Sequence, residues 1–111
     1  MFTLCNISTM FYTYVLFSQK DYKFYTGYTS DLKKRLHSHN NGEVFSTKNR
    51  RPLELIYYET CLNQEDALYR EKYLKSTYGK RYIKNRLKHY LDMKAITQGL
   101  CRGFRVRIQK S

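Results

Sequence analysis

The sequence predicts an α+β fold, and three observations lead there. Three short runs rich in β-branched and aromatic residues, at 11–18, 24–29 and 53–59, read as strands. Between and after them lie segments with capping residues in front and apolar residues three or four apart, which read as helices. The chain has 111 residues, enough for one compact domain around one modest core.

The elements follow in order. Residues 1–9 read as a leader: the apolar N-terminus lacks the basic first region of a signal peptide, and no run reaches the roughly 20 apolar residues of a membrane span. "FYTYVLFS" (11–18) is the first strand, "QKDYK" turns, and "FYTGYT" (24–29) returns as the second arm of a hairpin. Thr29 or Ser30 then caps a helix that begins at Asp31, its negative charge at the favourable end. That helix runs to about His39, and "NNGE" ends it, with Gly42 just past the stop. "VFSTKNRRP" is a basic loop and "LELIYYE" (53–59) the third strand. Asn63 caps a second helix, with Asp66 at the capping-box position, and this helix continues through Tyr78 until Gly79 breaks it. "KRYIKNRLKHYLDM" (80–93) is the third helix. The domain therefore spans 10–93, and 94–111, without a clean period, is a basic C-terminal appendage.

Composition narrows the partners. Lys and Arg outnumber Asp and Glu 21 to 9, a net charge of +12. Phosphates release counterions when such side chains neutralise them, so nucleic acid is the favoured partner, with an acidic protein or an anionic membrane surface as alternatives. Cys5, Cys61 and Cys101 are far apart and form no CxxC or zinc-type cluster. They read as free thiols in a reducing compartment, which places the protein in the cytoplasm.

Several polar residues fall on apolar faces. Arg35 and His39 lie on the side of the first helix that carries Leu32 and Leu36. In the second helix Ala67, Leu74 and Tyr78 form a stripe that Glu71 completes. A carboxylate facing a core needs a cation, a donor or a proton. Two readings stay open: an ion pair with Lys75 one turn on, or a ligand for a hard divalent metal such as Mg²⁺, which keeps several waters and needs few carboxylates. Tyr12 and Tyr14 share a face of the first strand, and Tyr25 and Gly27 share a face of the second. A glycine inside a strand often marks a close approach. Lys48, Arg50 and Arg51 make the loop basic, and Arg81, Lys84 and Lys88 are expected along the third helix opposite Ile83, Leu87 and Tyr90. Both groups are candidates for nucleic-acid contacts.

The order "YTY", "YTG", Arg35, His39 and a lone Glu71 resembles the GIY-YIG nuclease superfamily, over about residues 11–91. The stretches "FYTGYTSDLKKRL", "RRPLELIYYE" and "DALYREKYLK" are similar to its small free-standing bacterial members. "YTY" stands for Gly-Ile-Tyr and "YTG" for Tyr-Ile-Gly, each keeping the side chain that would do chemistry. The resemblance implies a three-stranded antiparallel sheet flanked by helices. It implies an endonuclease with one divalent ion, Mg²⁺ or Mn²⁺, held by Glu71. Arg35 would stabilise the charge of the in-line transition state, Tyr14 would be the general base, Tyr25 would bond the phosphate or water, and His39 would orient the phosphate or Tyr14. Asn85 is the candidate for an asparagine that many members carry downstream. With no separate reading domain the expected substrate is nucleic acid, DNA first, cut with little sequence specificity. The alternative is a catalytically idle binding module on the same scaffold.

Overall fold

The computed structural model describes residues 10–98. The expected leader, most of the expected appendage, Cys5 and Cys101 lie outside them. The chain divides into two compact units, one ending at Lys75 and one beginning at Ser76. The first holds β1 (Phe11–Ser18), β2 (Phe24–Thr29), α1 (Leu32–Asn40), β3 (Leu53–Cys61) and α2 (Gln64–Lys75). The second holds α3 (Thr77–Arg86) and α4 (Lys88–Gln98).

The sheet order is β2-β1-β3, with both pairings antiparallel. This is the expected three-stranded antiparallel sheet in an α+β fold. β1 is the central strand, and Thr13 through Ser18 are buried without interruption, as a strand covered on both faces should be. On one face Tyr14, Leu16 and Leu53 form a core against which Leu32 and Leu36 of α1, Tyr25 and Leu55 pack. On the other, Thr13 Oγ1 donates to the Ala67 carbonyl of α2 at 2.8 Å. The β1–β3 register shifts between Val15 and Leu16, where Ile56 is the extra residue. That bulge lets Leu55 oppose Leu16 and Tyr58 oppose Tyr14, so leucine and tyrosine keep to one face on both sides of the irregularity.

The basic loop is braced to the hairpin. Ser18 Oγ donates to the Arg50 carbonyl at 2.6 Å and accepts from the Lys20 and Asp21 amides. Arg50 returns to pair with Asp21 at 2.6 Å and to donate to the carbonyls of Lys23 and Phe24. The loop also contains a single 3-10 turn, Lys48–Arg50.

The helix boundaries differ from expectation in instructive ways. Asp31, not Thr29 or Ser30, is the N-cap of α1: its carboxylate accepts from the Lys34 amide at 3.1 Å, while Thr29 Oγ1 shapes the preceding turn by accepting from the Asp31 amide. Asn41 closes that helix, and Gly42 follows with φ of 79°, the left-handed position where glycine is favoured. β3 runs two residues beyond 59, to Cys61. Asn63 caps α2 as expected, accepting from the Glu65 and Asp66 amides.

The second helix does not reach Gly79. It stops at Lys75 because Ser76 takes an extended backbone and its hydroxyl caps α3 by accepting from the Gly79 amide at 3.1 Å. A serine cap is a stronger boundary signal than a glycine that a helix can absorb at a cost of about 1 kcal/mol. Tyr78 therefore leaves the α2 stripe and is 68% exposed. The expected helix over 80–93 is two helices, interrupted at Leu87. Residue 94, expected to open the appendage, lies inside α4. Among the described residues, Ile83, Leu91 and Ala95 are the buried apolar residues of this second unit. Among the described residues no helix is long and apolar enough to cross a membrane.

Candidate active site

The register places Tyr14 of β1 directly opposite Gly27 of β2. The Tyr14 ring lies over that glycine: a Cβ there would stand 2.5 Å from Tyr14 Cζ and closer still to its hydroxyl. The close approach anticipated at Gly27 is made by another side chain of this protein, and its effect is to let a full tyrosine lie flat against the sheet.

Around the Tyr14 hydroxyl the structure gathers three more of the expected residues. His39, on the last turn of α1, approaches it with Nε2 at 2.8 Å. Arg35, one turn earlier, donates from Nε at 3.3 Å. Tyr25 meets the His39 ring edge-on, with centroids 5.2 Å apart. Tyr14 and His39 are both 0% exposed, whereas Tyr25 is partly exposed. Arg35 touches both phenols, and hydrogen bonding to Tyr14 first, then to Tyr25, holds its guanidinium firmly charged.

The fifth member carries no signal in the sequence. Thr47, fully buried in the loop after α1, places Oγ1 2.8 Å from His39 Nδ1. We assign the protons so that each hydrogen between Arg35 and Thr47 has an acceptor: the buried Tyr14 hydroxyl accepts from Arg35 and gives its own hydrogen to His39 Nε2. His39 is then the neutral tautomer protonated at Nδ1, and that N–H donates to Thr47 Oγ1. Burial first, and the Arg35 charge second, push the His39 pKa down to about 4. The result is a directed chain, Arg35 to Tyr14 to His39 to Thr47. Burial raises the pKa of Tyr14 above its ordinary value against the pull of Arg35, and the charge of Glu71 adds to the rise.

Glu71 is thus within electrostatic reach of Tyr14. Its side chain is 20% exposed, and Oε2 pairs with Lys75 Nζ at 3.1 Å. The ion pair, one of the two readings of this carboxylate, is present. Among the described residues no three acidic, histidine or cysteine side chains converge on a point. The donor set still suits a hard divalent ion that keeps its waters, since Glu71 offers anionic oxygen at a partly solvated position and the lysine opposite it is more than half exposed.

The basic candidates divide. Lys48 and Arg51 are exposed, with Lys48 Nζ 5.1 Å from the Phe45 ring centroid and Arg51 Nε donating to the Lys48 carbonyl at 2.9 Å. Arg50 is committed to Asp21 and the hairpin carbonyls, so it is a brace. Arg81, Lys84 and Asn85 are exposed on α3. Lys88 starts α4, so the single helical face expected for Arg81, Lys84 and Lys88 does not form.

A small basic α+β domain in which a buried tyrosine of the central strand meets a buried histidine and a half-buried arginine of the first helix defines the class. Residues 10–88 match the model of the GIY-YIG catalytic domain, and the chain belongs to that family. It is 42% identical over 81 residues to the UPF0213 protein in ldhD 5'region of Pediococcus acidilactici, covering 68% of this chain and 82% of the relative. It is 46% identical over 57 residues to the UPF0213 protein YazA of Bacillus subtilis, covering 50% and 58%. The solution structure of the UPF0213 protein BH0048 from Bacillus halodurans aligns with a TM-score of 0.45 and 29% identity, over 68% of this chain and 83% of that one.

Proposed function

We propose that the protein is a metal-dependent endonuclease that hydrolyses phosphodiester bonds in nucleic acid, DNA first, with little sequence specificity. The observation that carries this reading is the Arg35–Tyr14–His39 chain seated on Gly27, in a domain of a nuclease superfamily. A packed core has no use for a guanidinium and a neutral imidazole converging on one phenol, because each polar group costs free energy unless bonded.

In this reading Arg35 meets the non-bridging oxygens of the phosphate, where preorganised charge counts most. Tyr25 is the phenol that solvent can reach, so it contacts the phosphate and the attacking water. Tyr14, expected as the base, is fully buried, which puts it behind Tyr25. It holds Arg35 in place and, with His39, forms the buried end of the chain to which the water's proton is drawn. The water oxygen forms the new bond to phosphorus, the ester P–O bond breaks, and the departing oxygen takes a proton from solvent. Mg²⁺ or Mn²⁺ at Glu71 would supply Lewis-acid charge at the phosphate.

The test is a cleavage screen over duplex, branched and single-stranded DNA and RNA, with Mg²⁺ or Mn²⁺ and with EDTA. Cutting that requires metal and Arg35 is the expected result. Salt-sensitive binding with no cutting on any substrate would instead establish the idle module.

A further inference from the structure

Beside the cluster lies a cleft of about 590 Å³ lined by Lys20, Asn40, Lys48, Asn49, Arg51 and Pro52. Three of the six are cations and none is acidic. The neighbouring carboxylates are engaged elsewhere, Asp21 by Arg50 and Glu54 by Gln19. Among the described residues none of the three cations is in an ion pair. Like charges gathered in one concavity repel unless an anion enters, and Lys48 and Arg51 lie only three residues apart.

The walls of the cleft are fixed. The Gln19 amide donates to the Pro52 carbonyl at 2.9 Å, Ser18 Oγ holds the Arg50 carbonyl, and Arg50 holds Asp21. Arg51 is the most constrained of the cations. Its Nε bonds the Lys48 carbonyl, and its guanidinium lies against Gly42, where a Cβ would stand 2.9 Å from Cζ. A guanidinium anchored through Nε keeps its terminal nitrogens for a bidentate partner, which is the geometry of phosphate recognition. The cleft also adjoins the cluster through the chain itself. Asn40 follows His39, and Lys48 follows Thr47, the two residues joined by the buried 2.8 Å bond.

We propose that this cleft binds a backbone phosphate of the nucleic-acid strand next to the one at Arg35, with Lys20 and Arg51 as its principal cations. The proposal rests on the nuclease reading for its ligand, but its test does not require cutting. Lys20, on the hairpin turn, is a contact that the basic-loop pattern alone does not suggest, and Arg50 is excluded from it.

The full chain is titrated in EDTA with a duplex of 20 base pairs, with and without 5'-phosphates, at several salt concentrations. Lys20→Gln/Lys48→Gln/Arg51→Gln should lower the salt slope of log affinity by about 0.9, the counterion equivalent of one phosphate, and Lys20→Gln alone by a part of that. An equal effect on both duplexes identifies an internal phosphate, and an effect confined to the 5'-phosphorylated duplex identifies a terminal one. Inorganic phosphate should move the amide resonances of Asn40, Asn49 and Arg51 in the native chain and move them less in Lys20→Gln. A slope unchanged by the triple substitution, or phosphate shifts confined to residues outside the cleft, overturns the proposal. A protein that binds here but never cuts would end the nuclease reading and leave the cleft standing. One that cuts with an unaltered slope would do the reverse.

Discussion

His39 makes the stability of the fold depend on pH in a window of its own. The imidazole is buried, with both nitrogens bonded, and is neutral in the tautomer assigned above. Its pKa falls from 6.5 to about 4 on folding, through burial and the nearby Arg35 charge. Because the folded value is the lower one, the unfolded chain takes up its proton first. The stabilisation is complete above about pH 6.5 and is lost as pH falls, until the folded state also titrates near 4. A separation of about 2.5 pH units corresponds to about 3 kcal/mol in full, of which about 2 kcal/mol is lost between pH 7 and pH 5. For a small domain that is a large share of the total.

The carboxylates do not blur this window. Asp21, where burial is outweighed by Arg50, the Lys23 amide and Ser18 together, and Glu59, where burial is outweighed by Arg70 and Tyr57 together, are held below their ordinary values of 3.8 and 4.5. Their contributions are lost only below about pH 4.5. Urea denaturation at pH 7.5, 7, 6, 5.5 and 5 on the native chain and on His39→Gln separates the contribution. The native chain should lose about 2 kcal/mol between pH 7 and pH 5, while the variant starts less stable and stays nearly flat. A flat native profile, or two profiles of equal slope, would refute the protonation state assigned to His39.

Other perturbations bear on the rest of the cluster. Gly27→Ala should cost about 1–3 kcal/mol by overpacking and push the Tyr14 hydroxyl off His39; thermal melts and the Tyr14 ring resonances check this, and a variant as stable and active as the native chain would make the glycine ordinary. Thr47→Val removes the acceptor for His39 Nδ1, at about 1–3 kcal/mol for an unsatisfied buried donor. Thr47→Ser should restore both the stability and the His39 tautomer read from ¹⁵N shifts, and a valine variant with the native tautomer would remove Thr47 from the chain. Glu71→Gln should abolish metal-dependent cleavage while leaving metal-free binding of nucleic acid intact or slightly tighter. Lys75→Gln, which frees the carboxylate, should lower the Mg²⁺ concentration at half-maximal rate; a rise would show that the lysine assists the metal.

The parts of the fold that the sequence disclosed are those written in local chemistry. β1 and β2 have the expected bounds because β-branched and aromatic richness and a polar turn agree over 11–29. The α2 start was legible because an asparagine cap needs no distant partner. The α2 end was missed because two local signals competed, and Ser76 at a cap position outranked Gly79 three residues later. In the candidate site, strand and helix faces put Tyr14, Tyr25, Arg35 and His39 on common sides, and the resemblance to the superfamily singled them out; the register of one hairpin and one helix brings them together. Thr47 could not, because a loop has no period, and its bond to His39 depends on where a loop braced by Ser18 and Arg50 comes to rest. The pairing of Arg50 with Asp21 was illegible for the same reason: among the three basic residues of one loop, only tertiary structure decides which one meets the hairpin.

The proton arrangement also says what the resting cluster lacks. Even at the ordinary tyrosine value of 10.0, Tyr14 stands about 6 pH units above His39, so moving the phenol proton onto the imidazole costs on the order of 8 kcal/mol. Burial widens that gap. Arg35 favours the ionised phenol, yet the same charge disfavours the imidazolium, so on its own it cannot drive the transfer. Glu71 works in the opposite sense, raising Tyr14 further while its charge stands. Lys75 offsets that charge only from a partly exposed position, where screening weakens it. In the proposed reading a cation at Glu71 would reverse the charge that raises Tyr14 and so lower the cost of ionising the phenol. An anion at Arg35 would relieve His39 but withdraw the same support from the ionised phenol, so it would leave the cost of transfer between the two nearly unchanged. The cation at Glu71 is therefore the change that would release the phenol proton, and without it the cluster holds that proton at rest.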